Sequence, residues 1–240
     1  EKADLARLEP FLFGRPEWNR LVFVNGFCVP SLSRVDGLGE RVFAGNLAEA
    51  FLRDSLPAAG NVARHAAFEA NIFSALNTAF LNEGAFVWLG EGQELSEPLH
   101  LVFASLSEGQ TRFSQPRTFL ALGEGARAKI IESYVSLSED ACFTNAVTEI
   151  VLGAGALLEH YKLQRENAGS FHIGTTQVSL ARESAFNSFS LVTGARLGRN
   201  HLNVLFDGEG ASTALDGLYM VSGEQQADNY TVIDHRKGRG

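Results

Sequence analysis

The sequence predicts a mainly β protein in which a long stack of short strands follows a partly α-helical amino-terminal region. Three observations point there. From residue 81 onward, short apolar or alternating runs are separated by glycine-containing breaks, and helical periodicity fades. All 6 prolines lie at or before Pro116, so the remaining 124 residues contain no residue lacking a backbone donor. One turn pattern, Gly-x-Gly-Ala, recurs at Gly123–Ala126, Gly153–Ala156 and Gly208–Ala211, each time between two extended runs. We therefore divide the chain into residues 1–80, a mixed helical and strand region, and residues 81–240, the stacked-strand core.

Within the first region, Leu21–Val24 followed by Asn25-Gly26 predicts a strand entering a turn. Asn46 is placed to cap a helix through Phe51 and Leu52, which Pro57 stops. Val62, Ala66, Phe73, Leu76 and Phe80 then recur at helical intervals and predict one amphipathic helix, with Arg64 and Asn71 on its polar face. The core region predicts strands at Phe86–Leu89, Leu99–Ala104, Arg117–Leu122, Lys129–Val135, Ala146–Leu152 and Leu157–Gln164. Five more follow at His172–Leu180, Phe186–Val192, Asn200–Phe206, Leu215–Val221 and Ala227–Asp234. The Gly-x-Gly-Ala copies start 30 residues apart (123 to 153) and then 55 apart (153 to 208), so the repeat is loose. Such repetition suits successive coils of a β-solenoid, with an ordinary β-sandwich as the alternative.

The 240 residues carry a formal net charge of -8, which argues against a phosphate-neutralising nucleic-acid face or an anionic-membrane surface. No apolar run approaches the roughly 20 residues of a membrane span. The start, Glu1-Lys2-Ala3-Asp4-Leu5, lacks a secretory layout. Cys28 and Cys142 are too few and too far apart for a disulfide framework or a zinc spacing, and a reducing cytoplasm is expected. No phosphate loop, zinc helix, Cys-x-x-Cys pair or nucleophile turn is present.

Two constellations remain. His160, His172 and His201 lie in or beside predicted strands and could join Cys142 in a metal site. Glu132, Glu149, Glu159 and Glu166 could supply a carboxylate pair for acid–base chemistry. For both sets the structural alternative is favoured: satisfied or exposed histidines, and solvated charges on strand faces. No catalytic or metal residue is assigned, and cofactor-binding residues are left unassigned.

Two further segments carry a family resemblance. Asn145–Ile150 continues through Gly153-Ala154-Gly155-Ala156 to Glu159–Gln164, and Gly194–Asn200 continues through Gly208–Ala211 and Gly217-Leu218-Tyr219 to Asp228, Thr231 and Asp234-His235. With Leu76–Phe80 and Pro98–Leu101, they resemble the SufB/SufD family of iron–sulfur cluster assembly proteins, the SufD branch more than the SufB branch. The resemblance implies a right-handed parallel β-helix behind a partly helical amino-terminal region. It implies a scaffold role in the SUF machinery, not an enzyme, acting with a SufB-like subunit and the SufC-like ATPase. An iron–sulfur cluster or iron would enter only at the level of that complex.

Full-length members continue through more coils and a helical carboxy-terminal domain, where the family's interfacial histidine lies; His235 is not carried over as its substitute. A stack cut midway would expose unpaired backbone, so this stretch alone is expected to self-associate through that end. The alternative functions are a carbohydrate-active enzyme and a structural β-solenoid.

Overall fold

The computed structural model describes residues 5–15, 17–54, 56–66, 71–81 and 84–237. Its strands are β1 (Arg20–Val24), β2 (Phe27–Cys28), β3 (Val42–Asn46), β4 (Gly84–Leu89), β5 (Leu99–Ser105), β6 (Arg112–Ser114), β7 (Arg117–Leu122) and β8 (Arg127–Ser136). They continue as β9 (Cys142–Leu152), β10 (Leu157–Arg165), β11 (Phe171–Leu180), β12 (Ala185–Val192), β13 (Leu197–Phe206), β14 (Ser212–Tyr219) and β15 (Gln226–His235). Short helices are α1 (Leu5–Leu8), α2 (Leu47–Phe51), α3 (Ala58–Asn61) and α4 (Ile72–Ala79).

The strands form two sheets of a parallel β-solenoid with about 5 turns. One sheet runs β14-β12-β10-β8-β5-β1-β2 and the other β15-β13-β11-β9-β7-β4-β3, so the chain alternates between them. This decides between solenoid and sandwich: β7 through β15 pair only in parallel, each strand with those one coil before and after. All eleven core strands expected from sequence form; β6, only three residues long, is additional.

The loose repeat is a strict one in space. Arg127 pairs with Leu157, Leu157 with Ala185 and Ala185 with Ser212, giving coil lengths of 30, 28 and 27 residues. The gap between the second and third Gly-x-Gly-Ala copies therefore spans two coils. Ala181-Arg182-Glu183-Ser184 is the intervening turn, with Glu183 at φ 57 where the other copies place Gly125 (φ 65), Gly155 (φ 64) and Gly210 (φ 72). These residues build a column of hydrogen bonds. Gly92 N–H donates to the Glu124 carbonyl at 2.8 Å, Gly125 to Ala154 at 2.8 Å, Gly155 to Arg182 at 2.9 Å and Glu183 to Glu209 at 2.9 Å. The first glycine of each copy is needed for a second reason. A Cβ at Gly123 would come within 2.7 Å of the Glu91 backbone, and one at Gly153 within 2.8 Å of the Glu124 backbone.

Apolar side chains fill the half of the interior beside this column. Leu89, Leu122, Leu152 and Leu180 stack from one sheet, Ala128, Leu158 and Phe186 from the other, all buried in one cluster. Full burial of such a leucine or phenylalanine contributes roughly 1.5–3 kcal/mol.

The amino-terminal region is woven onto this stack. β1 extends one sheet in parallel with β5, and Asn25 (φ 51) and Gly26 (φ 89) make the expected turn into β2. Asn46 caps α2 by accepting the Glu49 N–H at 2.8 Å. The single amphipathic helix expected over residues 62–80 does not form. The chain leaves α3 and bends with Ala63 at φ 63, residues 62–66 are not helical, and α4 is capped by Asn71. The cause is a buried carboxylate. Glu149, on the outer face of β9, accepts the N–H groups of Ala63, His65 and Ala66 at 2.8, 2.7 and 2.9 Å, which pulls the segment out of helical geometry. Arg117 neutralises Glu149 at 3.0 Å and bonds Asn77 and Thr78 of α4, both at 3.0 Å. Both charged side chains are fully buried.

Two substitutions test these devices. Glu149→Gln leaves Arg117 buried without its counter-ion and should cost about 3–5 kcal/mol; limited proteolysis should cut first between residues 56 and 81 while the coils persist. Glu183→Gly removes left-handed strain and should raise stability by about 1 kcal/mol in thermal unfolding.

Candidate functional site

The other half of the solenoid interior is polar. Alternation from Ile130 points Glu132 and Tyr134 inward on β8, and alternation from Leu158 does the same for His160, Lys162 and Gln164 on β10. The register places Glu132 directly beside Lys162 and Tyr134 beside Gln164. From the facing sheet come Thr144 and Thr148 on β9, and His172 and Thr176 on β11, all buried.

Within this chamber opposite charges face one another, while His160 Nε2 and both ring nitrogens of His172 make no well-aligned hydrogen bond. Glu132 accepts the Thr148 hydroxyl at 3.1 Å, and its Oε2 lies 3.6 Å from His160 Nε2. Glu166, just past β10, accepts from Thr144 and from the Gln164 amide, and faces His172 Nδ1 at 2.9 Å. Lys162 Nζ donates to Asn200 on β13 at 2.9 Å and lies 5.5 Å from the centre of the Tyr134 ring. Space for the ammonium is made by Gly174: a Cβ there would meet Lys162 Nζ at 2.1 Å and His172 Nε2 at 3.1 Å. A cavity of about 110 Å³ continues from His160 and Lys162 past Ser190 to Asn229 and Thr231.

Burial shapes the protonation of these groups. It would push the Glu132 carboxyl up, but hydrogen bonding and charge from His160, then Lys162 and Thr148, hold it below its ordinary value. Glu166 behaves likewise, with burial outweighed by His172, Thr144 and Gln164. Burial lowers Lys162 to about 8 despite Glu132 and Glu166, and lowers His172 despite Glu166. The chamber thus encloses Glu132, Glu166 and Lys162 in one buried polar network whose members perturb one another.

The histidine and cysteine set expected as a possible metal site is not assembled. His160 and His172 face the interior, His201 lies on the outer face of β13 beside Arg199, and no metal-competent cluster occurs among the described residues. Cys142 is buried with its thiol pushed up by desolvation and by Glu166. Solvated strand-face charge holds only for Glu159, which pairs with Lys129 at 3.3 Å near the surface. It fails for Glu132, Glu149 and Glu166, which are buried because opposing partners are already in place. Lys162 escaped the sequence reading, although the 30-residue offset between turn copies sets it against Glu132 and could have revealed it.

Acid should loosen this protein well above the carboxylate range. His100, on the outer face of β5, is held down to about 3 by burial and by Arg165 and Arg20. Between pH 6.5 and 3 the unfolded chain binds a proton there that the folded chain refuses, so stability falls with pH by about 5 kcal/mol in total. The lowered His172, Glu132 and Glu166 act in the same direction. Urea unfolding between pH 7 and 4 should show about 3 kcal/mol of this loss, and His100→Gln should remove about one proton from the slope.

Comparison with known proteins places this architecture. The family described as SUF system FeS cluster assembly, SufBD core domain, matches residues 104–240. The chain is 32% identical over 241 aligned positions to an iron–sulfur cluster assembly SufBD family protein of Synechocystis, covering 96% of this chain and 52% of that protein. It is 30% identical over 222 positions to the iron–sulfur cluster assembly protein SufD of Escherichia coli, covering 91% of this chain and 49% of that one. Protein ABCI7, chloroplastic, of Arabidopsis thaliana is 30% identical over 176 positions, or 70% of this chain and 37% of its own length. The chain thus spans about half the length of the first two of these relatives. The matched residues run from the end of β5 through the later coils, and on that match the chain belongs to the SufBD core family of iron–sulfur cluster assembly proteins.

Proposed function

We propose that this chain is part of a SufD-like scaffold subunit that works with a SufB-like subunit and a SufC-like ATPase in cytoplasmic iron–sulfur cluster assembly. The observation that carries this reading is the family match across residues 104–240, supported by the SufD of Escherichia coli among its relatives. The architecture supports a structural role. A stack held by backbone ladders and closed-off charges gives a stiff body that can transmit force from a motor subunit without deforming. Iron or a nascent cluster is cargo of the complex in this reading, and this chain's residues are not assigned as its ligands.

Two further observations favour scaffold over enzyme. The acids suited to a carboxylate pair, Glu132 and Glu166, face the interior, where an extended polysaccharide cannot reach them. Their oxygens are already engaged by Thr148, Thr144 and Gln164.

Co-expression of the full-length protein with SufB-like and SufC-like partners tests the proposal. A three-component complex that co-elutes in size-exclusion chromatography is expected. Elution of this protein alone, with the other two properly folded, would discard it.

A further inference from the structure

A groove of about 1070 Å³ runs along the outer face of β11, β13 and β15 and ends against the segment that Glu149 latches down. Its end wall, formed by residues 64–66 and the start of α4, contains buried polar atoms with no hydrogen-bond partner among the described residues. Ser74 is 1% exposed, yet its hydroxyl has no hydrogen-bond partner among the described residues. The His65 Nε2 atom is also buried without a partner among the described residues. Arg64, on the same wall, is exposed and makes no ion pair among the described residues. Among the described residues no carboxylate stands on this wall; the two described acids lining the groove, Asp207 and Asp234, sit on the far side, after β13 and on β15. The floor carries Gln177 and Asn203, cross-strand partners whose side-chain amides make no hydrogen bond among the described residues.

A buried hydroxyl left unpaired costs on the order of 1–3 kcal/mol, and because Ser74 lines the groove a ligand seated there can complete its bonding. Guanidinium, imidazole and hydroxyl together match a carboxylate, and free side-chain amides match peptide main chain. We propose that this groove binds an extended segment of a partner protein, seated by a carboxylate against Arg64, His65 and Ser74 and by its backbone over Gln177 and Asn203. The site uses residues outside the solenoid interior and does not depend on which assembly the subunit joins.

The test uses the full-length protein and two fluorescein-labelled octapeptide pools, one containing a single Asp or Glu at varied positions with a free carboxyl terminus. The other replaces those acids by Asn or Gln and carries a terminal amide. Fluorescence anisotropy should show the acidic pool binding at least ten-fold tighter. Arg64→Glu, an exposed position outside the latch contacts, should abolish that preference without changing the melting temperature. Gln177→Trp should weaken both pools by filling the floor. Equal binding of the two pools, binding indifferent to Arg64→Glu, or no binding of either would overturn the proposal.

Discussion

Everything in this structure depends on each coil's main chain finding its hydrogen-bond partners in the coils above and below. In a parallel stack the backbone groups of one turn have nowhere else to go, and a buried unpaired group is costly. The demand is sharpest at the tight corners, where successive turns approach so closely that a Cβ on Gly123 or Gly153 would strike the backbone beneath. The glycines therefore set how near the coils can lie, and the apolar ladder beside them follows from that spacing.

The polar half of the interior is the counterpart of this regularity. A ladder with fixed spacing brings unlike charges into register as reliably as it stacks leucines, and Glu132 beside Lys162 shows it. Burying ions costs free energy that pairing returns only in part, so such a network favours one register over strong stability. A slip by one residue would turn Glu132, Lys162 and Glu166 outward and bring apolar partners of the outer faces in. The same logic works on the outer side of β9, where Glu149 and Arg117 decide how the helical region meets the sheet.

Much of the fold was legible because strand alternation and glycine chemistry are local. The eleven core strands, the Asn46 cap and the Asn25-Gly26 turn all follow from short-range rules. The break in the helix over residues 62–80 was not legible, since its cause, Glu149, lies more than 80 residues away in the chain. The missing turn copy was hidden because Glu183 tolerates a left-handed backbone that glycine normally supplies. At the candidate sites, residue types were visible but orientation was not. Whether Glu132 meets solvent or Lys162 depends on which face of β8 points inward, and that is fixed by neighbours one coil away. Family resemblance came from the same glycine turns, now tied to a spatial column.

The absent side chain of Gly174 is filled by the ammonium of Lys162. Positions 162 and 174 thus share one volume across the two sheets, and neither can drift alone: a larger residue at 174 demands a shorter one at 162, which in turn strands the charge of Glu132. Among relatives, these three positions should change as a unit, so their joint inheritance would trace which lineages kept a charged interior and which replaced it with an oily one.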